Sequence, residues 1–426
     1  MSRPVARHYF GTDGVRGIVG EFLTVELVER LGKASALWSG AGARVFVGRD
    51  TRGSGEELEE AFARGVVSGG GSAVLAGVVP TPAVALLRLD LGVVISASHN
   101  PPEYNGVKFF DRGGRKLTDA AEEAIEALLD APAPGGGEID RVGIAADSYF
   151  QHILERFGTD LTGLRIAVDC ANGAYAGLAP AAFEQLGAEV HAIGNTPNGS
   201  NINVGCGATN LEALQEVVRN GDFHFGVAFD GDGDRMLAVD ENGDTLDGDQ
   251  IIAILALHLG VDVVAVTTMT NLGFHRLMED RGVRVLTTDV GDRYVLEALY
   301  REGGILGGEQ SGHVICLRDH VTGDGLASAL LLCAAVGGGS LAEAGAVMER
   351  YPQVKINVPR AGRGPLPQAL LDRLDEVNAE LNGGGRVLVR PSGTEPVVRV
   401  LAEAETEAEA EILCDKIVTL VNQELG

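Results

Sequence analysis

Short β-branched runs alternate with amphipathic helical patterns three times along the chain. The first block has an apolar run at 45–47, a helical pattern over 56–67, and strand-like runs at 72–75 and 93–95. The second has 165–168, a helix near 179–186, a run at 189–193, a helical 211–219 and the run 225–229. In the third, 263–267 leads to a helix over 272–281, a run at 283–286 and a helix over 293–301. Strands separated by single helices predict right-handed βαβ units and mixed, mostly parallel sheets. The longest apolar stretches, 251–257 and 326–336, fall short of the roughly 18 residues of a membrane span.

The breaks between blocks are legible as well. Ala131-Pro132-Ala133-Pro134-Gly135-Gly136-Gly137 reads as a loop after the helical pattern 120–129. Asn242-Gly243 predicts a hairpin turn between 236–239 and 245–246. The fourth block differs: a helix over 366–381, strands at 387–389 and 397–402, and a last helix opened by Thr406 and Glu409 as a capping box. The glutamates at 403, 405, 407, 409 and 411 read as a solvated surface. The predicted fold class is α/β. Three similar α/β domains with mixed, mostly parallel sheets cover 1–150, 151–250 and 251–355, and a smaller C-terminal α+β domain covers 356–426.

Composition narrows the function. With 45% hydrophobic residues the chain can bury sizeable cores, and its 60 glycines, about twice the usual share, point to tight turns and close backbone approaches. A net charge of −26 repels nucleic acid and anionic lipid, so neither is expected as a partner. An anionic substrate would need local Arg, Lys and backbone N–H groups. Cys170, Cys206, Cys316, Cys333 and Cys414 show no metal or redox-motif spacing, and residues 1–8 lack the apolar core of a signal peptide. A reduced, cytoplasmic protein is the expectation.

Five loops could carry chemistry. Asp230-Gly231-Asp232-Gly233-Asp234-Arg235 follows the run 225–229 and sets three carboxylates at alternate positions, a donor set for a hard divalent cation. An EF-hand is disfavoured, because Arg235 stands at the loop position that needs a turn-forming Gly. Ser96-Ala97-Ser98-His99-Asn100-Pro101-Pro102 follows the run 93–95, where open α/β sheets bind ligands, and its small residues predict an accessible Ser98 hydroxyl. His99 suggests a base, but adjacent side chains seldom face the same way, so no Ser-His-Asp triad is assigned. Arg390-Pro391-Ser392-Gly393-Thr394-Glu395-Pro396, followed by Arg399, makes a compact anion clamp. Gly307-Gly308-Glu309-Gln310-Ser311-Gly312-His313 suits polyol hydroxyls. Gly11-Thr12-Asp13-Gly14-Val15-Arg16-Gly17 lacks the Gly-Lys-Ser/Thr of a nucleotide loop, and no dinucleotide glycine fingerprint opens a helix. ATP and NAD are not implied.

In this order the five loops resemble the α-D-phosphohexomutase superfamily, from Phe10 to the last helix. Its phosphoserine loop matches 96–101, its metal loop 230–235, its sugar loop 309–313 and its phosphate loop 390–399. The resemblance implies four domains around a central cleft. Tyr9–Gly17, Gly308–His313 and Thr322-Gly323-Asp324-Gly325 follow the amino-sugar branch, whereas Pro101–Gly106 is nearer the hexose-phosphate enzymes. Pro391 also departs, standing where many amino-sugar relatives carry Lys.

The implied reaction interconverts glucosamine 6-phosphate and glucosamine 1-phosphate, feeding UDP-N-acetylglucosamine. Phosphorylated Ser98 is the implied carrier, with glucosamine 1,6-bisphosphate as intermediate and activator. The resemblance places one Mg²⁺ on Asp230, Asp232, Asp234 and a phosphoserine oxygen at Ser98. It sets Lys108 and Arg235 near the transferred phosphate, with Lys108 or His313 assisting proton transfer and Arg16 close to the serine loop. Glu309, Ser311 and His313 fall on the sugar. Arg390, Ser392, Gly393, Thr394 and Arg399 fall on the non-reacting phosphate. The implied partners are a small-molecule sugar phosphate and a kinase or bisphosphate source that primes Ser98. The alternatives are the same chemistry on a hexose phosphate, and a non-catalytic sugar-phosphate binder. Intact Ser98 and all three aspartates argue against the binder.

Overall fold

Three sheets repeat one arrangement. Three parallel strands stand in the order second, first, third, and a fourth runs antiparallel beside the third. In the first sheet these are Arg44–Arg49, Ser72–Val78, Leu91–Ile95 and then Tyr104–Phe110. In the second they are Arg165–Asp169, Glu189–Ile193, Phe225–Phe229 and then Met236–Asp240. In the third they are Val263–Thr267, Arg284–Thr288, Leu306–Gly308 and then Val314–Cys316. The loops that join third strand to fourth are 96–103, 230–235 and 309–313. Each therefore leaves the carboxyl end of a parallel strand at the same place in its sheet, where such sheets bind ligands. The third strands are apolar runs buried along their whole length, as strands covered on both faces must be.

The structure, a computed structural model, describes residues 8–11, 13–360, 364–391 and 396–425. The three sheets belong to one compact unit, Met1–Thr268 with Arg284–Ala346. Its two apolar stretches become the helices Gly248–Leu259 and Gly325–Val336, buried over most of their length. Asp247 and Asp324 cap their first turns, and each ends at a left-handed glycine, Gly260 or Gly337. Among the described residues no helix is long and apolar enough to cross a membrane. The strands Val15–Ile18 and Tyr104–Phe110 and the helices Val25–Ser39 and Ala145–Phe157 have no counterpart in the sequence reading. The helix expected over 120–129 stops at Glu126. At Asn242-Gly243 the hairpin forms with a longer turn, closed by Asp240 Oδ1 accepting from the backbone N–H groups of Asn242 and Asp244 at 2.9 Å each.

The second unit joins Met269–Val283 to Val347–Gly426. A three-stranded antiparallel sheet, in the order Gln353–Pro359, Val397–Ala404, Gly385–Pro391, packs against the helices Gln368–Glu380 and Glu407–Leu425. Val358, Leu370, Val398, Val400, Cys414 and Ile417 are in its core. The capping box forms as expected, with Glu409 N to Thr406 Oγ1 at 3.3 Å and Thr406 N to Glu409 Oε2 at 3.2 Å. The helix Leu272–Asp280 lies in the third block of the sequence but packs with this unit, held by Asn271 Nδ2 to the Tyr351 carbonyl at 2.8 Å.

Candidate active site

Ser98 stands in a left-handed backbone conformation, φ 54°, which a non-glycine residue adopts only where its surroundings enforce it. Its hydroxyl donates to Asp230 Oδ2 at 2.6 Å, and its backbone N–H donates to Ser96 Oγ at 2.9 Å. The expectation of an accessible hydroxyl is corrected here: Ser98 is 1% exposed, because the hydroxyl turns into the carboxylate cluster. The left-handed turn also brings His99 Nδ1 to 3.2 Å from Ser98 Oγ, so these neighbours do face the same way. Burial, with Arg235 and Arg16 nearby, pushes the His99 imidazole down to about 4 and keeps it neutral at physiological pH.

The three aspartates lie in the hairpin loop between Phe225–Phe229 and Met236–Asp240 and are all buried. One oxygen from each lies within 4.8 Å of the others. Gly231 has no room for a side chain, since a Cβ there would stand 2.6 Å from the Ser98 carbonyl oxygen. Asp230 Oδ1 accepts from the backbone N–H groups of Gly233 and Arg235 at 3.1 Å each. Burial, reinforced by Asp232 and Asp234, pushes the Asp230 carboxyl up. Burial also opposes ionisation of Asp234, but Lys108, His313 and Arg235 outweigh it and hold that carboxyl well below the usual range.

Lys108, on Tyr104–Phe110, is buried with Nζ 2.6 Å from Asp232 Oδ2, 3.4 Å from Asp234 Oδ2 and 3.3 Å from Asp13 Oδ2. Thr81 Oγ1 donates to the same Asp232 oxygen at 2.5 Å. Arg16 pairs with Asp13, and Arg235 Nε lies 3.8 Å from Asp234 Oδ1. His313 Nδ1 lies 3.7 Å from Asp234 Oδ1, and its Nε2 lies 3.4 Å from Asp292 Oδ2. Burial disfavours the imidazolium, yet Asp292 and Asp234 prevail and raise its pKa. Lys116 Nζ completes the chain, 2.6 Å from Asp13 and 2.7 Å from Asp292. Sequence reasoning missed Lys116, Asp292 and Thr81 and assigned no role to Asp13. Thr81, Lys116 and Asp292 meet partners far away in sequence, and only Asp13 fell within a quoted loop.

Glu309 Oε1 accepts from the Gly291 N–H at 3.1 Å, and Ser311 is exposed at the tip of its loop. Arg390 and Arg399 are in the second unit, directly opposite each other on antiparallel strands and therefore on one face of the sheet. Ser392, Gly393 and Thr394 lie outside the described residues.

The aspartate cluster fits a hard divalent cation. All three donors are carboxylates, and Asp232 Oδ1 is buried with no hydrogen-bond partner among the described residues.

Four family models match the chain in succession. They describe the α/β/α domains I, II and III and the C-terminal domain of phosphoglucomutase/phosphomannomutase, over residues 7–134, 147–243, 247–351 and 354–420. The chain belongs to the phosphoglucomutase/phosphomannomutase family. Within it, the chain is 48% identical to the phosphoglucosamine mutase of Moorella thermoacetica, covering 94% of this chain and 96% of that one. It is 46% identical to the phosphoglucosamine mutase of Thermobifida fusca over 98% of each. A crystal structure of a phosphoglucomutase/phosphomannomutase family protein from Burkholderia thailandensis superposes with a TM-score of 0.82 at 26% identity, over 99% of both chains. In family terms, the Ser98 loop sits in domain I and the aspartate loop in domain II. Lys108 of domain I reaches the aspartates of domain II, and His313 of domain III reaches Asp234.

Proposed function

We propose that this chain is an isomerase that moves a phosphoryl group between O6 and O1 of glucosamine phosphate, with Ser98 as the carrier. One observation carries the reading: the Ser98 hydroxyl is buried against Asp230, within the three-carboxylate cluster that Lys108 contacts. The sugar follows from the relatives, which are phosphoglucosamine mutases over nearly their whole length.

In the first half-reaction a free sugar hydroxyl attacks the phosphorus on Ser98. A new P–O bond forms to the sugar, the bond to Ser98 Oγ breaks, and the sugar hydroxyl gives up its proton. The product of this half is glucosamine 1,6-bisphosphate. In the second half Ser98 Oγ takes the other phosphoryl group, the sugar oxygen regains a proton, and phosphoserine is restored. Asp230, Asp232, Asp234 and an oxygen of the phosphoserine would hold the divalent cation, Mg²⁺. Bound there, the ion would offset charge on the transferring group. Lys108 and His313 are buried beside Asp234, which puts both where they can assist the proton transfer. Arg16 and Arg235 supply positive charge beside the aspartates to receive a phosphate. Glu309 and Ser311 take sugar hydroxyls. Arg390 and Arg399, with Ser392, Gly393 and Thr394, hold the phosphate that is not reacting. A kinase or a sugar bisphosphate supplies the first phosphoryl group to Ser98. Five free, buried cysteines suit the reducing cytoplasm.

A single-turnover experiment with phosphorylated protein tests the reading. Offered glucosamine, glucose and mannose 6-phosphates in competition, the enzyme should transfer its phosphoryl group fastest to the amino sugar. Equal transfer to all three would overturn the sugar assignment, and no transfer to any would overturn the reaction.

A further inference from the structure

The segment Asp50-Thr51-Arg52-Gly53 leaves the strand Arg44–Arg49 and carries none of the chemistry described above. Its Arg52 side chain is fully buried. Nε donates to Asp50 Oδ2 at 3.0 Å, and Nη2 donates to the carbonyls of Ser98 and Asn100 at 2.8 Å each. Nη1 donates to the Tyr104 carbonyl at 2.9 Å and to that of Pro101. One guanidinium thus gathers four carbonyls, three from the loop that presents Ser98 and one from Tyr104, where the next strand begins. Asp50 Oδ2 also accepts from the Ser96 hydroxyl at 2.6 Å, and it is Ser96 Oγ that accepts from the Ser98 N–H.

A second donor meets the same loop from domain II. Asn203 Nδ2 donates to the carbonyls of Ser98 and Asn100, at 2.9 and 3.0 Å, the two that Arg52 Nη2 also holds. The residues flanking Arg52 anchor to that domain as well. Thr51 Oγ1 donates to the Asn172 carbonyl at 2.5 Å, and Gly53 N donates to the Gly199 carbonyl at 2.7 Å.

A buried ion pair adds little net stability over an apolar replacement of similar volume, so stability alone does not account for a charge here. A planar fork of five donors does something no apolar side chain can: it fixes the directions of several carbonyls at once. The left-handed Ser98 persists only where its surroundings over-determine it.

We propose that Arg52 is a positioning residue. With Asp50 on one side and Asn203 on the other, it holds the Ser98 loop in its strained form and sets the nucleophile against the metal loop. This inference rests on Ser98 being the phosphoryl carrier.

The test uses Arg52→Lys and Asn203→Gly. Lysine keeps the charge beside Asp50 but loses the fork. Glycine keeps the positive φ of Asn203, 58°, but loses the amide. In each variant, hydrogen exchange of a peptide spanning 96–103 in unphosphorylated protein should quicken about tenfold or more, with the rest of the domain unchanged. Turnover should fall about ten- to a hundredfold in kcat while KM stays within about twofold, the signature of a misplaced nucleophile. Unchanged loop exchange together with kcat within about twofold of wild type would overturn the proposal, and so would a lowered melting temperature with kcat per folded molecule unaltered. If Arg52→Lys does not fold, Asn203→Gly decides by the same readings. Faster loop exchange in a protein whose wild type turns over no glucosamine phosphate would support the positioning role and defeat the proposed reaction, so the two failures are distinguishable.

Discussion

The Ser98 hydroxyl donates a 2.6 Å hydrogen bond to Asp230 across 132 residues of chain. That bond joins the loop of the first sheet to the equivalent loop of the second. It puts the proposed phosphoryl carrier on one of the proposed metal ligands.

Ser98→Ala should abolish mutase turnover while leaving substrate binding and folding nearly intact, because it removes one small oxygen with a covalent role. Intact-protein mass spectrometry should find one phosphoryl group on part of the wild type and none on the variant. Equal turnover in the two would end the assignment.

Asp232→Asn should weaken Mg²⁺ binding and slow turnover by orders of magnitude. The change keeps the volume but removes one charge from the cluster and weakens the contact with Lys108. Titration calorimetry with Mg²⁺ and a metal-dependence curve for activity are the checks. A near-normal curve would reject the metal site.

Arg399→Ala should weaken both substrates alike. If the Arg390–Arg399 pair holds the non-reacting phosphate, it serves both half-reactions. A charge-assisted contact worth about 1.5–3 kcal/mol corresponds to a loss of roughly ten- to a hundredfold in kcat/KM for glucosamine 1-phosphate and glucosamine 6-phosphate. A loss confined to one substrate would show that the clamp is not shared.

His275, in the second unit, should make stability fall in acid. Burial, aided by Arg386, pushes its imidazole down to about 4, and its Nε2 has no hydrogen-bond partner among the described residues. In the unfolded chain it titrates near about 6.5. Between these values the unfolded state binds the extra proton, so its contribution is complete above about 6.5 and drains away as the pH falls towards about 4. Relative to His275→Gln, the wild-type urea midpoint should therefore drop between about pH 7.5 and about pH 5. Parallel pH dependences would refute this.

What was legible in the sequence is local. Asp230, Asp232 and Asp234 lie within one hairpin loop, so their spacing alone brings the carboxylates together. The β-branched runs marked the buried parallel strands for the same reason, since period and composition act over a few residues. Where a signal was weak, elements were missed. Val15–Ile18 is an edge strand only because Tyr104–Phe110 pairs with it. Gly248–Leu259 and Gly325–Val336 are apolar on nearly every face and show no helical stripe.

By itself, then, the sequence determined the alternation of strands and helices, the positions of the five candidate loops and the clustering of three carboxylates in one of them. All of these depend on neighbours within about one turn or one hairpin. Tertiary structure decided the rest: the burial and left-handed turn of Ser98, the contact of Lys108 with Asp232, the chain from Asp13 through Lys116 to Asp292, and the grip of Arg52 on the serine loop. Those contacts join residues tens to hundreds of positions apart. A long side chain such as Lys or Arg carries no local mark of which distant carboxylate or carbonyl it will meet once the sheets stack and water is excluded.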